Sequence, residues 1–246
     1  MKAIFTGLNG TVAPVVSEYF KNQGSQIICY DRSIISTDNR FEIESFIRMH
    51  QPDAILHFAM GAPEWAEMLA DISNHMNIKF VFISTSSVYD QSIKGPITIH
   101  TKPNAKDAYG SYKILSEEKV RAAHKNAYII RIGWQIGYQP GSNQMIDYLS
   151  KMMEKEGVIN ASKNWYPSCS FIDDTAEAIY DILTRLKPDT YLVNSNDGFS
   201  FYDIVNHLKD VHNYFIVKEV LEPKLNHLMV DPRPRIKSLS KRFKHI

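Results

Sequence analysis

An α/β fold built on a doubly wound parallel sheet is the structure that this sequence predicts. Short apolar runs bounded by turn residues alternate with longer amphipathic stretches, which is the pattern of β-α-β units. A glycine-rich turn at residues 6–13 separates the first apolar run from the first amphipathic stretch. A hydroxyl-rich segment at residues 84–87 ends a later apolar run. Together these observations predict a Rossmann-like sheet with its functional groups along one edge.

The predicted strands and helices alternate along the first half of the chain. We predict strands at residues 2–6, 26–30, 54–58, 79–84 and 127–132. We predict helices at residues 12–22, 40–50, 63–75 and 107–125. Residues 86–106 combine glycine, proline and asparagine with little periodicity, so they predict a long loop across the top of the sheet.

The strict alternation fades after about residue 134. The chain continues through a segment rich in glycine, proline and asparagine, followed by predicted helices at residues 143–155 and 174–186. We therefore assign residues 1–133, with returning segments, to the sheet domain. Residues 134–246 form most of a small C-terminal annex, interleaved with the last sheet elements.

Composition excludes several classes of partner. The 246 residues are 44% hydrophobic and 22% charged, which is typical of a globular protein that buries a full core. A net charge of +1 provides no overall field for nucleic acid or an anionic membrane, and the basic stretch after residue 232 lacks a nucleic-acid motif. Residues 1–5 lead directly into the glycine turn without a signal-peptide apolar region. We expect a cytoplasmic protein with no membrane segment and no nucleic-acid partner.

The glycine turn predicts a dinucleotide site. Its sequence is Thr6-Gly7-Leu8-Asn9-Gly10-Thr11-Val12-Ala13, which follows a predicted strand and opens a predicted helix. Gly7 allows the tight turn, and Gly10 lets a pyrophosphate approach the backbone at the helix N-terminus. Glycine turns also join strands to helices without binding a ligand, so this segment alone leaves both interpretations open.

The end of the second predicted strand bears on the choice of cofactor. Asp31 lies 24 residues after Gly7, where a carboxylate accepts hydrogen bonds from an adenosine ribose. This position favours NAD(H). Arg32 follows immediately and would suit a 2′-phosphate, so NADP(H) stays open.

A hydroxyl-rich strand end and a tyrosine–lysine pair predict a site for hydride-transfer chemistry. Thr85, Ser86 and Ser87 follow an apolar run at the carboxyl edge of the sheet, where ligands of open α/β sheets bind. Such hydroxyls also simply end strands, which is the alternative interpretation. Tyr109 and Lys113 are four residues apart in a predicted helix and face the same side. We expect the Lys113 cation to lower the pKa of the Tyr109 phenol.

The third predicted strand supplies a further wall of the same site. It ends in His57-Phe58-Ala59-Met60-Gly61, and we expect Phe58, Ala59 and Met60 to contact the cofactor. His57 lies on an apolar run and receives no catalytic role. His207 and His212 have no neighbouring cysteine or paired carboxylate, so we expect no metal site.

Taken in order, the segments TGLNGTVA, HFAMG, ISTSSVYD, YGSYK and RIGWQIG resemble the extended short-chain dehydrogenase/reductase superfamily, in its NAD-dependent epimerase/dehydratase group. Residues 231–234 and 239–241 resemble C-terminal elements of dTDP-4-dehydrorhamnose reductases, which act on nucleotide sugars. The resemblance implies that Tyr109 is the catalytic acid/base, that Lys113 is its partner and a ligand of the cofactor ribose, and that Thr85 binds the reacting oxygen. It also implies substrate contacts by Ser86, Ser87, Trp134 and Arg233.

Departures from the family pattern narrow the expected reaction. Dehydratase members carry an acidic pair where this chain has Ser86-Ser87, which disfavours elimination of water. The short C-terminal half predicts either a smaller substrate or a site that a second subunit completes in a homodimer. The leading hypothesis is a reductase of a keto group on a nucleotide-activated sugar. The alternatives are an epimerase with retained NAD and, from another class, a non-catalytic dinucleotide-binding sensor or regulatory subunit.

Overall fold

The computed structural model describes residues 1–245. The strands are β1 (Lys2–Thr6), β2 (Gln26–Tyr30), β3 (Ala54–His57), β4 (Lys79–Thr85), β5 (Tyr128–Ile132), β6 (Trp134–Ile136), β7 (Ile159–Ser162), β8 (Trp165–Tyr166), β9 (Cys169–Phe171), β10 (Thr190–Val193), β11 (Val217–Val220) and β12 (Leu225–Asn226). The α-helices are α1 (Ala13–Asn22), α2 (Arg40–His50), α3 (Pro63–His75), α4 (Ala108–Ala123), α5 (Met145–Glu156), α6 (Ile172–Arg185), α7 (Phe201–Val211) and α8 (Leu239–Arg242). Short 3₁₀ turns span Ser86–Val88 and Phe243–His245.

The central sheet confirms the predicted α/β fold class. Within the described residues it has six parallel strands in the order β10-β5-β4-β3-β1-β2. The first five strands along the chain match their predicted positions to within one residue at each end. The order reverses between β1 and β3, and in open α/β sheets such a switch point forms a ligand crevice at the carboxyl ends of the strands.

Two apolar layers cover the sheet because its strand residues alternate between the faces. On one face, Phe5 and Leu56 pack with α1 and α6 in one buried cluster. On the other face, Ile4 and Ile55 pack with α2, α3 and α4 in a second cluster. Helices on both faces are what a doubly wound sheet requires, and they leave its edge free for a site.

The C-terminal half forms its own core and also returns to the sheet. Strand pairs β11-β7, β12-β8 and β6-β9 are parallel and short. A third buried cluster joins β6, β7, β8, β9 and β11 to α5 and α7. Helix α6 and strand β10 instead complete the central sheet layer. We call the part built around the third cluster the annex.

Membrane-spanning helices and clustered metal ligands are both absent from residues 1–245. No helix there is long and apolar enough to cross a membrane. That same part of the chain contains no group of three or more His, Cys, Asp or Glu side chains arranged to hold a metal ion.

Candidate active site

A cleft of about 880 Å³ lies at the carboxyl edge of the sheet, between the sheet and the annex. Its volume falls within the usual range for small-molecule and cofactor sites. Predicted site residues that line it are Gly7, Gly10, Thr11, Val12, Phe58, Met60, Thr85, Ser86, Ser87, Tyr109, Lys113 and Trp134. The fold thus brings together residues from five separate segments.

The glycine turn packs tightly against the end of β3. Gly7 has a φ of +77°, and a Cβ atom built on it would lie 2.8 Å from the backbone nitrogen of Ala59. A side chain at this position would therefore push the two loops apart. The Gly10 amide donates to the Gly7 carbonyl at 2.9 Å, which closes the turn. Asn9 is exposed at the tip of the turn and does not line the cleft.

Among the described residues, no side chain caps the amide groups at the start of helix α1. Val12 precedes the helix without a side-chain hydrogen bond, and the first turn contains no acidic residue. Uncapped amides and the positive end of the helix dipole favour an anion at this end. The turn and helix start therefore fit a pyrophosphate group.

The end of β3 is fixed to the end of β1 by Thr6. Its hydroxyl oxygen accepts from the amides of Phe58 and Ala59, both at 3.1 Å. The remaining hydroxyl proton is donated to Nδ1 of His57 at 3.0 Å. Burial, with smaller contributions from Lys113 and Arg32, lowers the pKa of His57 to about 3, so the ring is neutral. His57 thus holds the two strand ends together from within the core.

Asp31 and Arg32 lie beside the cleft, just after β2. The Asp31 carboxylate accepts from the hydroxyl and amide of Ser33 at 2.7 and 2.8 Å, and these bonds lower its pKa. Arg32 donates to the carbonyl of Met60 at 2.8 Å, across the end of β3. Neither side chain belongs to the cleft lining, and neither does Ala59.

Tyr109 and Lys113 reach the cleft from the first turns of α4. Asp107 caps this helix by accepting from the Gly110 amide at 2.9 Å. Lys113 is 4% exposed and donates from Nζ to the carbonyl of Ile83 at 2.9 Å. Burial lowers the pKa of Lys113 to about 8, while the Glu117 carboxylate opposes this change.

The protonation of Tyr109 differs from the sequence-based expectation. Burial raises the pKa of the Tyr109 phenol, and the hydrogen-bonding influence of Thr85 only partly opposes this. The predicted lowering by Lys113 is wrong for this arrangement, because burial dominates and the Lys113 ammonium is held by the Ile83 carbonyl. Tyr109 therefore retains its proton at neutral pH.

Thr85 ends β4 and caps the turn that follows. Its Oγ1 accepts from the Ser87 amide at 3.1 Å, and its hydroxyl donates to the Ser87 Oγ at 3.2 Å. The bond from the Ser87 amide agrees with the alternative interpretation, in which strand-end hydroxyls only bond the backbone of the following turn. Thr85, Ser86 and Ser87 nevertheless line the cleft beside Tyr109.

A buried ion pair that the sequence analysis missed fixes helix α4 to strand β5. Glu117, one turn after Lys113, accepts from Arg131 Nε at 2.9 Å and from a terminal guanidinium nitrogen at 2.5 Å. Both residues are 6% exposed. Ser84 donates to the same carboxylate, and Tyr89 accepts from Arg131. The i, i+4 spacing from Lys113 to Glu117 is the signal that would have pointed to this carboxylate.

Arg233 does not reach the cleft. Its guanidinium contacts Asp189 at 2.6 Å and Asp231 at 2.8 Å, and it donates to the carbonyl of Thr190 at 2.7 Å. Thr190 begins β10, whereas the cleft lies at the carboxyl ends of the strands. The expected contact of Arg233 with the substrate is therefore wrong. Arg233 instead holds the C-terminal segment at the amino ends of the strands, opposite the cleft.

The annex contributes cleft residues that the sequence analysis did not identify. They are Gln135, Asn143, Trp165, Pro167, Ser168 and His227. The amide of Asn143 donates to Thr11 Oγ1 at 3.3 Å, and the hydroxyls of Thr11 and Ser142 are hydrogen-bonded. A loop of the annex thereby reaches the glycine turn.

Comparison with known proteins identifies the family. Residues 1–223 match the family described as "RmlD substrate binding domain". The spore coat polysaccharide biosynthesis protein SpsK of Bacillus subtilis (strain 168) is 22% identical over 218 residues, which cover 82% of this chain and 76% of SpsK.

Solved structures match over nearly the whole fold. The dTDP-4-dehydrorhamnose reductase of Bacillus anthracis, in complex with NADP, has 18% identity and a TM-score of 0.82, with 99% of this chain and 97% of that one covered. The UDP-glucose 4-epimerase of Thermus thermophilus, in complex with NAD, has 16% identity and a TM-score of 0.68, with 100% and 93% covered. The predicted resemblance to extended reductases of the dTDP-4-dehydrorhamnose type is confirmed. Since the family match spans most of its length, the chain belongs to the RmlD substrate binding domain family.

Proposed function

We propose that this protein is an NAD(P)-dependent oxidoreductase that reduces a keto group of a nucleotide-activated sugar. The observation that carries the proposal is that Thr85, Tyr109 and Lys113 line the same cleft as the glycine turn. The reductase and epimerase with similar structures are named for nucleotide-sugar substrates, and their structures contain NADP and NAD. These relatives support the proposal.

The cleft suits a nicotinamide dinucleotide. Gly7 and Gly10 have no side chain, so a phosphate can approach the backbone of the turn. The uncapped start of α1 would hold the pyrophosphate. Asp31 would accept from the adenosine ribose, which favours NAD(H), and Arg32 is the group suited to the 2′-phosphate of NADP(H). Phe58 and Met60 would contact the dinucleotide from the end of β3. When bound, this cofactor supplies the hydride for the sugar carbonyl carbon.

The residues of α4 and β4 supply the proton. Tyr109 is protonated at neutral pH, since a phenol has a usual pKa near 10 and burial raises the pKa of Tyr109 further. The protonated phenol is the group that would donate to the carbonyl oxygen. The Thr85 hydroxyl would turn from Ser87 Oγ to the same oxygen and donate to it. Proton loss leaves a phenolate, and the Lys113 cation would offset part of the burial cost of that charge. Positioned proton transfer of this kind typically contributes a factor of about 10² to 10⁴.

A turnover assay with a tyrosine variant tests this function. Purified protein should oxidise NADH or NADPH in the presence of a nucleotide-linked 4-keto-hexose, followed by the absorbance of the reduced nicotinamide. Tyr109→Phe should abolish turnover and keep the affinity for the dinucleotide, because only the proton donor is removed. Tyr214→Phe is the control, since it removes a tyrosine hydroxyl bonded to Ser150, outside the cleft lining. Unchanged kcat in Tyr109→Phe would contradict the role of Tyr109 as proton donor. No turnover by the unmodified protein, together with tight dinucleotide binding, would favour a non-catalytic dinucleotide sensor.

An epimerase with retained NAD is the second candidate. The observation that favours it is the contact of Thr11 with Ser142 and Asn143, since a loop closed over the glycine turn would slow cofactor exchange. NAD that copurifies with the protein, together with no net consumption of added NADH, distinguishes this candidate from the reductase.

A further inference from the structure

The annex side of the cleft contains a buried acceptor without a protein partner. Gln135 is 5% exposed and lines the cleft. Its Nε2 donates to the carbonyl of Gly133 at 2.9 Å. Because a carbonyl only accepts hydrogen bonds, this contact fixes the orientation of the Gln135 amide and leaves Oε1 as the remaining acceptor. Over residues 1–245, this Oε1 is buried and has no hydrogen-bond partner.

Two further polar atoms of the cleft wall share this property. Trp165 Nε1 and His227 Nε2 are also buried without a hydrogen-bond partner in the part of the chain that the structure describes. Both residues line the same cleft. They are neighbours because β8 pairs with β12 and the His227 amide donates to the Tyr166 carbonyl at 2.9 Å. An indole N–H only donates, so the wall offers a donor as well as the Gln135 acceptor.

Unpaired buried polar atoms are costly, and water or a ligand usually pairs with them. Such atoms also occur elsewhere in the described residues, but three of them on the wall of one cleft mark a place for a ligand to bind. The position of Gln135 indicates which part of the ligand pairs with its Oε1. Ile132 pairs with Thr85 across β5 and β4, and Gln135 follows three residues later. Three residues span at most about 11 Å along the chain, and neighbouring strands lie about 5 Å apart, so the backbone of Gln135 lies within about 16 Å of Thr85. Gln135 therefore lies on the part of the cleft that adjoins the expected position of the sugar carbonyl. In a nucleotide sugar, the base lies beyond the hexose, two phosphates and a ribose.

We propose that Gln135 is a specificity-determining residue whose Oε1 accepts a hydrogen bond from a ring hydroxyl of the hexose in a nucleotide sugar. Trp165 supplies a donor on the same wall. This inference rests on the proposed function and deepens it, because it assigns recognition of the sugar to the annex and leaves proton transfer to Tyr109.

Calorimetric titration of the protein saturated with NADPH or NAD tests this assignment. The probes are UDP-glucose, dTDP-glucose and analogues of each in which one hexose hydroxyl is replaced by fluorine, which cannot donate. Gln135→Leu should weaken the parent sugar about threefold to tenfold and leave dinucleotide affinity unchanged. Gln135→Met keeps the side-chain length and should give the same result. Gln26→Leu, an exposed position at the start of β2, is the matched control.

The fluorinated analogues give a readout that a merely structural role would not change. One analogue should bind the unmodified protein about threefold to tenfold more weakly than the parent sugar, and Gln135→Leu should bind that analogue and the parent equally. Free UDP and dTDP should bind both proteins equally.

Three outcomes overturn the inference. Unchanged affinity of Gln135→Leu and Gln135→Met for the parent sugar excludes the hydrogen bond. Equal weakening of free nucleoside diphosphate and nucleotide sugar would assign Gln135 to the nucleotide instead. If the unmodified protein binds none of the nucleotide hexoses, the proposed function fails and the inference fails with it. The first two outcomes leave the proposed function standing.

Discussion

The buried pair of Glu117 and Arg131 gives the sharpest prediction from this structure. Glu117→Gln keeps the shape of the side chain and removes its charge. In the protein, both carboxylate oxygens accept from Arg131, and one also accepts from Ser84. The glutamine amide would place N–H groups against an N–H of the guanidinium or the hydroxyl of Ser84, and it would leave the Arg131 charge uncompensated at 6% exposure.

The expected loss is large because the pair is buried. Removing one partner of a buried ion pair costs about 3–5 kcal/mol of unfolding free energy. For a chain of this length that corresponds to a decrease in melting temperature of roughly 6–20 °C. The control is Glu44→Gln, which breaks another glutamate–arginine pair with a 2.6 Å contact to Arg48. That pair is exposed, so we expect a cost of about 0.5 kcal/mol or less.

Urea unfolding and thermal unfolding measure both variants against the unmodified protein. A double variant, Glu117→Leu with Arg131→Met, should be more stable than Glu117→Gln because it leaves no isolated buried charge. Glu117→Gln should also shift the alkaline limb of kcat/KM to lower pH, since the Glu117 carboxylate raises the pKa of Lys113. If Glu117→Gln lowers the unfolding free energy by less than about 1 kcal/mol, the claim that it leaves the buried Arg131 charge uncompensated is refuted.

Three other predictions follow from the site. Lys113→Met removes an ammonium whose pKa is about 8 in the folded protein against a usual 10.5. Burying this charge lowers the unfolding free energy by about 3 kcal/mol below pH 8, and the cost disappears above pH 10.5. Unfolding free energy of the unmodified protein, measured relative to Lys113→Met, should therefore rise across that interval, and a flat difference would contradict the assigned pKa. Gly7→Ala should destabilise the fold more than Gly24→Ala, because both have a φ of +77° but only Gly7 has backbone within 4 Å of the added methyl; equal melting temperatures would count against the tight turn. NADH should bind more tightly than NADPH because Asp31 lies near the expected ribose, and the opposite order in titrations would assign the preference to Arg32.

The sequence predicted the elements whose signals are local. Strands β1 to β5 are apolar runs bounded by turn residues, and their predicted positions are correct to within a residue at each end. Helix α4 was predicted at residues 107–125 and spans Ala108–Ala123, and helix geometry alone predicts that Tyr109 and Lys113 face the same side. Strand β3 ends one residue before the end predicted for residues 54–58, because the Phe58 amide donates to the hydroxyl oxygen of Thr6.

Elements that depend on distant pairing were not predicted. Strand β10 has only four residues and is recognisable as a sheet strand through its pairing with β5, some sixty positions earlier in the chain. The annex strands have two to four residues each, which is too short for an alternation pattern. Arg233 was assigned to the substrate by resemblance, and only the position of β10 reveals that it lies at the opposite edge.

The same distinction explains why one half of the candidate site was found and the other was not. Gly7, Tyr109 and Lys113 belong to local motifs, so the sequence alone predicts that each of them lies near the sheet edge. Gln135 and His227 are more than ninety residues apart, and no period or motif links them. They meet at one wall because β6 pairs with β9 and β8 pairs with β12. On the proposed function, chemistry therefore depends on the sheet and its helix α4, whereas recognition of the sugar depends on the packing of the annex. Substitutions at Gln135 should change sugar affinity while dinucleotide affinity stays constant, because no backbone of the glycine turn is involved in that wall.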